Sequence, residues 1–182
     1  MSRLRFSTAR EVFETYPSAR EFVGLAPTNE PPLTFLARLA KGPAPMEAAG
    51  FCAFLLPRRE TVWWALQAVR SMQPPGTPDP GLATAEAWVR EPGDKTRFDA
   101  LRLAQSGDRT QPGTFIAWAA GYSGGSMAEG HAIPCPPDLT AKMARIAVLI
   151  AINRLPARER AGALHRCVEA CIRLADDDPG TR

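Results

Sequence analysis

Pro57 interrupts the most apolar part of this chain. The stretch from Met46 to Met72 reads MEAAGFCAFLLPRRETVWWALQAVRSM. From Ala48 to Leu56 nearly every position is apolar, and a helix without a polar face is stable only when other elements surround it. After Pro57 the pattern turns amphipathic. Proline breaks a helix it would otherwise sit inside, so the stretch predicts two helices joined at Pro57. A chain that carries such a hairpin has to pack the rest of itself around it. The predicted fold class is therefore all-α, with about ten helices in an irregular, solenoid-like set of hairpins around this buried one.

The second helix of the hairpin places its two tryptophans differently. On a helical wheel Val62, Ala65, Leu66, Val69 and Met72 form the core face, and Trp64 falls at its edge. Trp63 falls on the other side, framed by Arg59, Gln67 and Arg70. Successive side chains point about 100° apart, so a single interface cannot be centred on both rings. The wheel predicts Trp64 buried, and Trp63 against a second layer, a partner or its own arginines. Phe51, Phe54, Leu55, Leu66, Ile146 and Leu149 are the predicted core.

The flanking segments are punctuated by caps and prolines. Thr8-x-x-Glu11 and Ser18-x-x-Glu21 have the form of capping boxes, with Pro17 between two short helices that carry Val12, Phe13, Tyr16, Phe22 and Val23. Residues 24–32 read as a linker. A helix over Leu33–Lys41 ends at Gly42, placed where a left-handed glycine often sits. Asp79-Pro80 supplies a cap and a first-turn proline for a helix reaching Arg90. Further helices are predicted from Asp94 to Ser106, Gln111 to Gly121, Asp138 to Arg154 and Ala157 to Asp176. The last of these lines Ala161, Leu164, Cys167, Val168, Cys171 and Ala175 along one face. Tyr122 to Pro137 is a Gly/Pro-rich loop, and Asp176-Asp177-Asp178 reads as a frayed polar end. No segment alternates with period two, and no repeat recurs at a fixed period. A chain of 182 residues suffices for one core, so residues 1–182 are expected to form one helical domain, with separate short helices in 1–31.

Composition narrows the function classes. The net charge is only +3, and the basic residues are scattered, whereas nucleic-acid binding favours a basic stripe. Arg3, Arg5, Arg10 and Arg20 could form a basic arm, but Glu11, Glu14 and Glu21 interleave with them, as on solvated helix faces. The most apolar run, Met143 to Ile152, spans about ten residues and includes Arg145, against roughly twenty for a membrane span. The N-terminus has no apolar core of a secretory signal. With no disulfide framework among Cys52, Cys135, Cys167 and Cys171, the expected compartment is a reducing cytoplasm.

Candidate chemistry is sparse. Gly121-Tyr122-Ser123-Gly124-Gly125 matches G-x-S-x-G, whose serine works on a strand-to-helix turn beside a base and an oxyanion hole. Here a predicted helix precedes Ser123 and a loop follows, so a helix end and a turn with glycines at positive φ is the better reading. His131-x₃-Cys135 with Cys167-x₃-Cys171 has the ligand types of a zinc site, but Cys167 and Cys171 lie on an apolar stripe, where cysteine serves as a small hydrophobe. Neither a catalytic residue, a metal nor a cofactor is assigned. Arg58, Arg59, Trp63 and Arg70 are the residue mix of a protein interface: an amphipathic ring among guanidiniums.

The string Leu56-Pro57-Arg58-Arg59-Glu60-Thr61-Val62-Trp63-Trp64-Ala65 resembles the signature of an uncharacterised bacterial family of small helical proteins, a domain of unknown function. Ala85-Glu86-Ala87-Trp88-Val89, Ser123-Gly124-Gly125-Ser126, Pro136-Pro137 and Leu139-Thr140 extend the resemblance from about Phe35 to Ala175. Genes of that family often lie near type VI secretion genes. The resemblance implies a cytoplasmic accessory role and carries over no catalytic residues. The expected function is that of a non-enzymatic adaptor or chaperone whose partner is a secretion-system component or an effector. It would be bound near Arg58, Arg59, Trp63, Arg70 and the Ser123–Gly124–Gly125 turn, with no part for nucleic acid or membrane. The alternatives are an immunity protein that docks on a toxin, and a small serine hydrolase using Ser123.

Overall fold

A computed structural model of the chain describes residues 4–176. Its elements are α1 (Ala9–Thr15), a 3-10 turn (Pro17–Glu21), α2 (Pro32–Lys41), α3 (Met46–Leu55), α4 (Arg58–Met72), α5 (Pro80–Arg90), α6 (Asp94–Ser106), α7 (Pro112–Gly121), α8 (Leu139–Arg154) and α9 (Ala157–Asp176). Extended pairing among the described residues is limited to one antiparallel bridge, Ser126 to Pro134. The fold is all-α. None of the described helices is long and apolar enough to cross a membrane.

The α3–α4 hairpin turns at Pro57. Its corner is closed by Thr61, a buried residue whose hydroxyl donates to the carbonyls of Leu56 at 3.0 Å and Ala53 at 3.3 Å. Ala53 belongs to the last turn of α3 and Leu56 is its C-cap, where carbonyls have no partner within the helix. α3 is buried from Ala48 to Leu55 because α2, α8 and α9 pack around it. α4 meets α5, α7, α8 and α9. The hairpin therefore links the N-terminal elements to the rest, but it is not the sole hub. In the second half α7 takes that place, packed against α4, α5, α6 and α8.

Small residues allow this. α5 and α7 meet where Gly81 faces Gly113. A Cβ on Gly81 would lie 2.2 Å from the Gly113 carbonyl oxygen, an overlap with backbone that no side-chain rotation relieves. α8 turns Ala141, Ala144, Ala147, Val148, Ala151 and Ile152 inward. Its larger residues then face outward, so Ile146 and Leu149 are only half-buried, against the core expected for them. A helix apolar on most faces does not show which face packs, and the alanines decide it by letting neighbouring helices come close. Phe51, Phe54, Leu55 and Leu66 are buried as expected. Ala161 is exposed, just before α9 meets the core at Ala163 and Leu164.

Other local expectations change near the N-terminus. Thr8 caps α1, accepting from the Glu11 N–H at 3.3 Å, while the Glu11 carboxylate accepts from Ser7 rather than from Thr8 itself. Ser18 caps nothing. Its hydroxyl donates to Asp138, 120 residues away, and the segment settles as a 3-10 turn. Gly42 ends α2 at φ −82°, so no left-handed cap forms there. Of the basic arm, Arg3 lies outside the described residues. Arg5 donates to the Tyr16 hydroxyl, Arg10 to Asn29 and Arg20 to the Leu25 carbonyl. Of the expected polar end, Asp176 closes α9 and is exposed, and residues 177 and 178 lie outside the described residues.

Candidate functional site

The structure separates the residues singled out above into two places. One is the loop after α7. The Arg58 guanidinium donates to the Ser123 carbonyl at 2.9 Å, which joins the start of α4 to that loop. Arg97 of α6 does more. It is 5% exposed and donates to the carbonyls of Gly121 at 3.1 Å and Ser126 at 2.7 Å, with Asp94 as its counter-ion. A thiol, Cys135, lies in the same loop. Burial pushes its pKa up, against the opposing pull of the Arg97 and Arg58 charges, so the protonated form is favoured.

Backbone conformation follows from these contacts. Two glycines of the loop are left-handed: Gly125, at φ 61°, where a Cβ would come 3.1 Å from Arg97 Nη2, and Gly130, at φ 75°. Gly124, at φ 159°, is close to extended. The loop then returns on itself. Met127 donates to the Ile133 carbonyl at 2.7 Å, Cys135 donates to the Gly125 carbonyl at 3.1 Å, and the Ser126 hydroxyl bonds inside the turn to Ala128 and His131. Thr140, at the start of α8, donates to the carbonyls of Ala119 and Tyr122 and so closes the end of α7. Ser123 follows a helix, and it is its carbonyl, not its hydroxyl, that Arg58 holds. That differs from the strand–turn–helix on which a hydrolase serine is raised.

The second place is a groove of about 510 Å³ between α4 and the end of α9, lined by Trp63, Gln67, Ala170, Leu174 and neighbours. Trp63 is half-buried there. Trp64, 1% exposed, sits beneath, and its indole N–H donates to the Cys167 carbonyl at 2.9 Å. The arginines of α4 turn away from this groove. Arg59 donates to the Val89 carbonyl at 2.7 Å, near the end of α5, and Arg70 pairs with Glu86 at 2.6 Å. Glu86 also pairs with Arg90, and these partners, Arg70 first, hold its carboxyl below its ordinary range. Of the seven residues picked from sequence, then, Arg58 meets Ser123 and Gly124, Gly125 meets Arg97, Trp63 lines the groove, and Arg59 and Arg70 brace α5.

Arg97 escaped the sequence reading, although the pattern held a signal. With Ala100, Leu101 and Ala104 it occupies i, i+3, i+4 and i+7 of one stripe, the buried face of α6. A charge inside an apolar stripe requires a partner, and here that partner is a loop. The residues with zinc-ligand chemistry differ in setting: His131 is exposed and Cys135 partly buried in the loop, while Cys167 and Cys171 are buried on α9. Burial raises the Cys167 thiol to about 11 and pushes that of Cys52 well above its ordinary value, with Cys171 beside it. Among the described residues no cluster of three or more His, Cys, Asp or Glu side chains is placed to hold a metal ion.

Taken together, these features define an all-helical protein with an arginine-pinned loop and an aromatic groove. The chain belongs to the family of unknown function DUF6931, whose model matches residues 35–175. No curated protein and no solved structure matches it.

Proposed function

We propose that this protein is a non-enzymatic accessory factor, an adaptor or chaperone of the cytoplasm, that binds a protein partner across the Trp63 groove. The observation that carries the reading is the contrast between two adjacent rings. Trp64 is consumed by the core, whereas Trp63 stays half-buried at the edge of a groove with apolar walls (Ala170, Leu174) and a polar rim (Gln67, Arg173, Asp176). A large amphipathic ring in a partly desolvated groove is the usual anchor of a protein interface. Arg58 and the Ser123–Gly125 turn supply a second, rigid contact, because the guanidinium fixes the loop before any partner arrives. Rigid surfaces bind with less ordering cost. The link to type VI secretion rests on the resemblance of Leu56–Ala65 and makes a secretion component or effector the partner of choice.

A photo-crosslinking amino acid at Gln67, in the native cell, tests this. The expected result is one dominant cross-linked protein that is absent when the label is moved to Arg166 on the exposed face of α9. Trp63→Ala should weaken that partner about 30-fold, the scale of a 2 kcal/mol interface anchor, with little change in helical content. Equal cross-linking from both positions, or unchanged affinity in Trp63→Ala, would remove the groove from the reading.

A further inference from the structure

The segment before Phe35 covers three phenylalanines that belong to the family-matching part of the chain. Phe13 stacks on Phe51 with centroids 5.6 Å apart and meets Phe35 edge-on at 5.8 Å. Tyr16 and Phe22 lie on Phe54, at 5.8 and 6.3 Å. From α8, Arg145 places its guanidinium 3.9 Å over the Phe22 ring, and Asp138 accepts the Ser18 hydroxyl. Phe35, Phe51 and Phe54 are 0–1% exposed, and this segment supplies the rings packed on them.

The segment has the features of a ligand more than those of a scaffold element. The buried positions of α1 are Ala9, Val12 and Phe13, and the buried Tyr16 caps its end; together they fall at i, i+3, i+4 and i+7, the spacing by which an amphipathic helix anchors in a groove. Part of its polar bonding is internal: Arg5 holds Tyr16, and Arg20 holds the Leu25 carbonyl and lies 5.5 Å over Phe13. Across the connection, Ala9 and Arg10 donate to the carbonyls of Glu30 and Thr28, which stand as backbone acceptors at the mouth of the cleft. The connection to the rest of the chain runs through residues 24–26, all exposed. The family-matching region begins at residue 35, beyond the segment.

We propose that the cleft formed by α2, α3 and the start of α8 is a recognition groove for a short aromatic amphipathic helix of a protein partner, and that residues 9–23 fill this groove in cis. The chemistry of the occupant is set by the floor. It needs one aromatic anchor on a short helix and a second three residues on at the helix end, a third ring to lie under Arg145, and a hydroxyl donor for Asp138. The tether places the cis segment at millimolar effective concentration, so a trans helix enters only at comparable strength or after the cis segment is loosened. This groove is distinct from that of Trp63 and does not depend on it.

The test uses the full chain with a short site for a sequence-specific protease inserted between Leu25 and Ala26. After cleavage, a fluorescein-labelled peptide of residues 4–25 is titrated in, and polarisation and circular dichroism are recorded. The expected result is retained helical content, exchange of the labelled peptide into the cut chain, and binding to the uncut chain at least about 100-fold weaker, as tethered competition requires. Phe13→Asp in the peptide should weaken binding about 100-fold, the scale of losing a buried aromatic. Arg145→Met in the chain should weaken it a few-fold, the scale of a cation–π contact. Collapse of the helical signal on cleavage would make the segment an integral part of the core and overturn the proposal. So would a cut chain that stays folded yet never takes up the peptide, or uptake indifferent to Phe13→Asp.

Discussion

Trp63 and Trp64 are neighbours in sequence, yet α4 assigns them to different environments. Trp64 is enclosed by the core, and its one polar atom is bonded to the Cys167 carbonyl of α9. Trp63, about 100° around the helix, packs on the same α9 but only along its end, where the groove opens. The difference comes from what stands opposite. Buried Val168, Cys171 and Ala175 continue the core along α9, whereas Ala170 and Leu174 are only half-buried. Burial of a tryptophan in this fold is thus decided by how far α9 overhangs α4, not by the tryptophan itself.

The strongest way to break this comparison is Trp64→Ala. It should cost about 3–5 kcal/mol, the range for emptying a large aromatic site, and it also removes the indole bond to the Cys167 carbonyl, which keeps its helical partner. Urea denaturation at neutral pH measures it. A loss below about 1.5 kcal/mol would mean that α9 collapses onto the gap, and that the two rings are less different than their exposures imply.

The arginine-pinned loop offers the next effect. Arg97→Ala removes the donor to Gly121 and Ser126, two carbonyls worth about 1–3 kcal/mol each when left unpaired. A total of about 2–4 kcal/mol is expected. Arg97→Lys should recover only part, because an ammonium lacks the planar fork that reaches two carbonyls and Asp94 together. Limited proteolysis should shift to cleavage within residues 122–137 in the alanine variant. Unchanged proteolysis would show that the Ser126 turn holds itself.

How much of this was legible beforehand depends on whether a helix declared a face. α4 did, and its wheel separated Trp63 from Trp64. α9 did from Leu164 onward. α8 did not. Its apolar residues run around the helix, and the choice between the Ala144–Val148 face and the Ile146–Leu149 face was made by close packing that no periodicity encodes. Arg58, Arg59 and Arg70 share a helix, which in sequence makes them one cluster. Their long side chains instead reach three targets, Ser123, Val89 and Glu86, which only tertiary structure specifies. The second capping box failed for a related reason: the Ser18 hydroxyl found a better acceptor in Asp138, far along the chain.

Trp63→Ala sharpens the same comparison. A half-buried ring gives up about half of its transfer free energy, so the stability loss should be about 1–2 kcal/mol, well below that of Trp64→Ala. Parallel urea melts of the two variants measure the gap directly. Equal losses would place Trp63 in the core and withdraw the groove as a binding surface.

The smallest expected effect lies on the far side of α4, where Arg70 reaches across to α5. Glu86 is flanked by Arg70 and Arg90, and hydrogen bonds from these two, Arg70 first, lower its pKa from the ordinary 4.5. A carboxylate with a depressed folded-state pKa contributes stability that is fully present above its unfolded value and is lost as pH falls through the folded one. The contribution should therefore be intact above pH 4.5 and fade below it. Arg70 and Arg90 are 42% and 76% exposed, so solvent screening holds the contribution under about 1 kcal/mol. Thermal melts of the parent and of Glu86→Gln, at pH 7 and at pH 3.5, provide the measurement. The variant should melt slightly lower at pH 7, and the gap should shrink at pH 3.5 and shrink again at high salt. A gap that instead widened in acid would mean that the carboxyl is worth more protonated than charged. The α4–α5 contact would then rest on the Arg59–Val89 bond and the packing beneath it rather than on this ion pair.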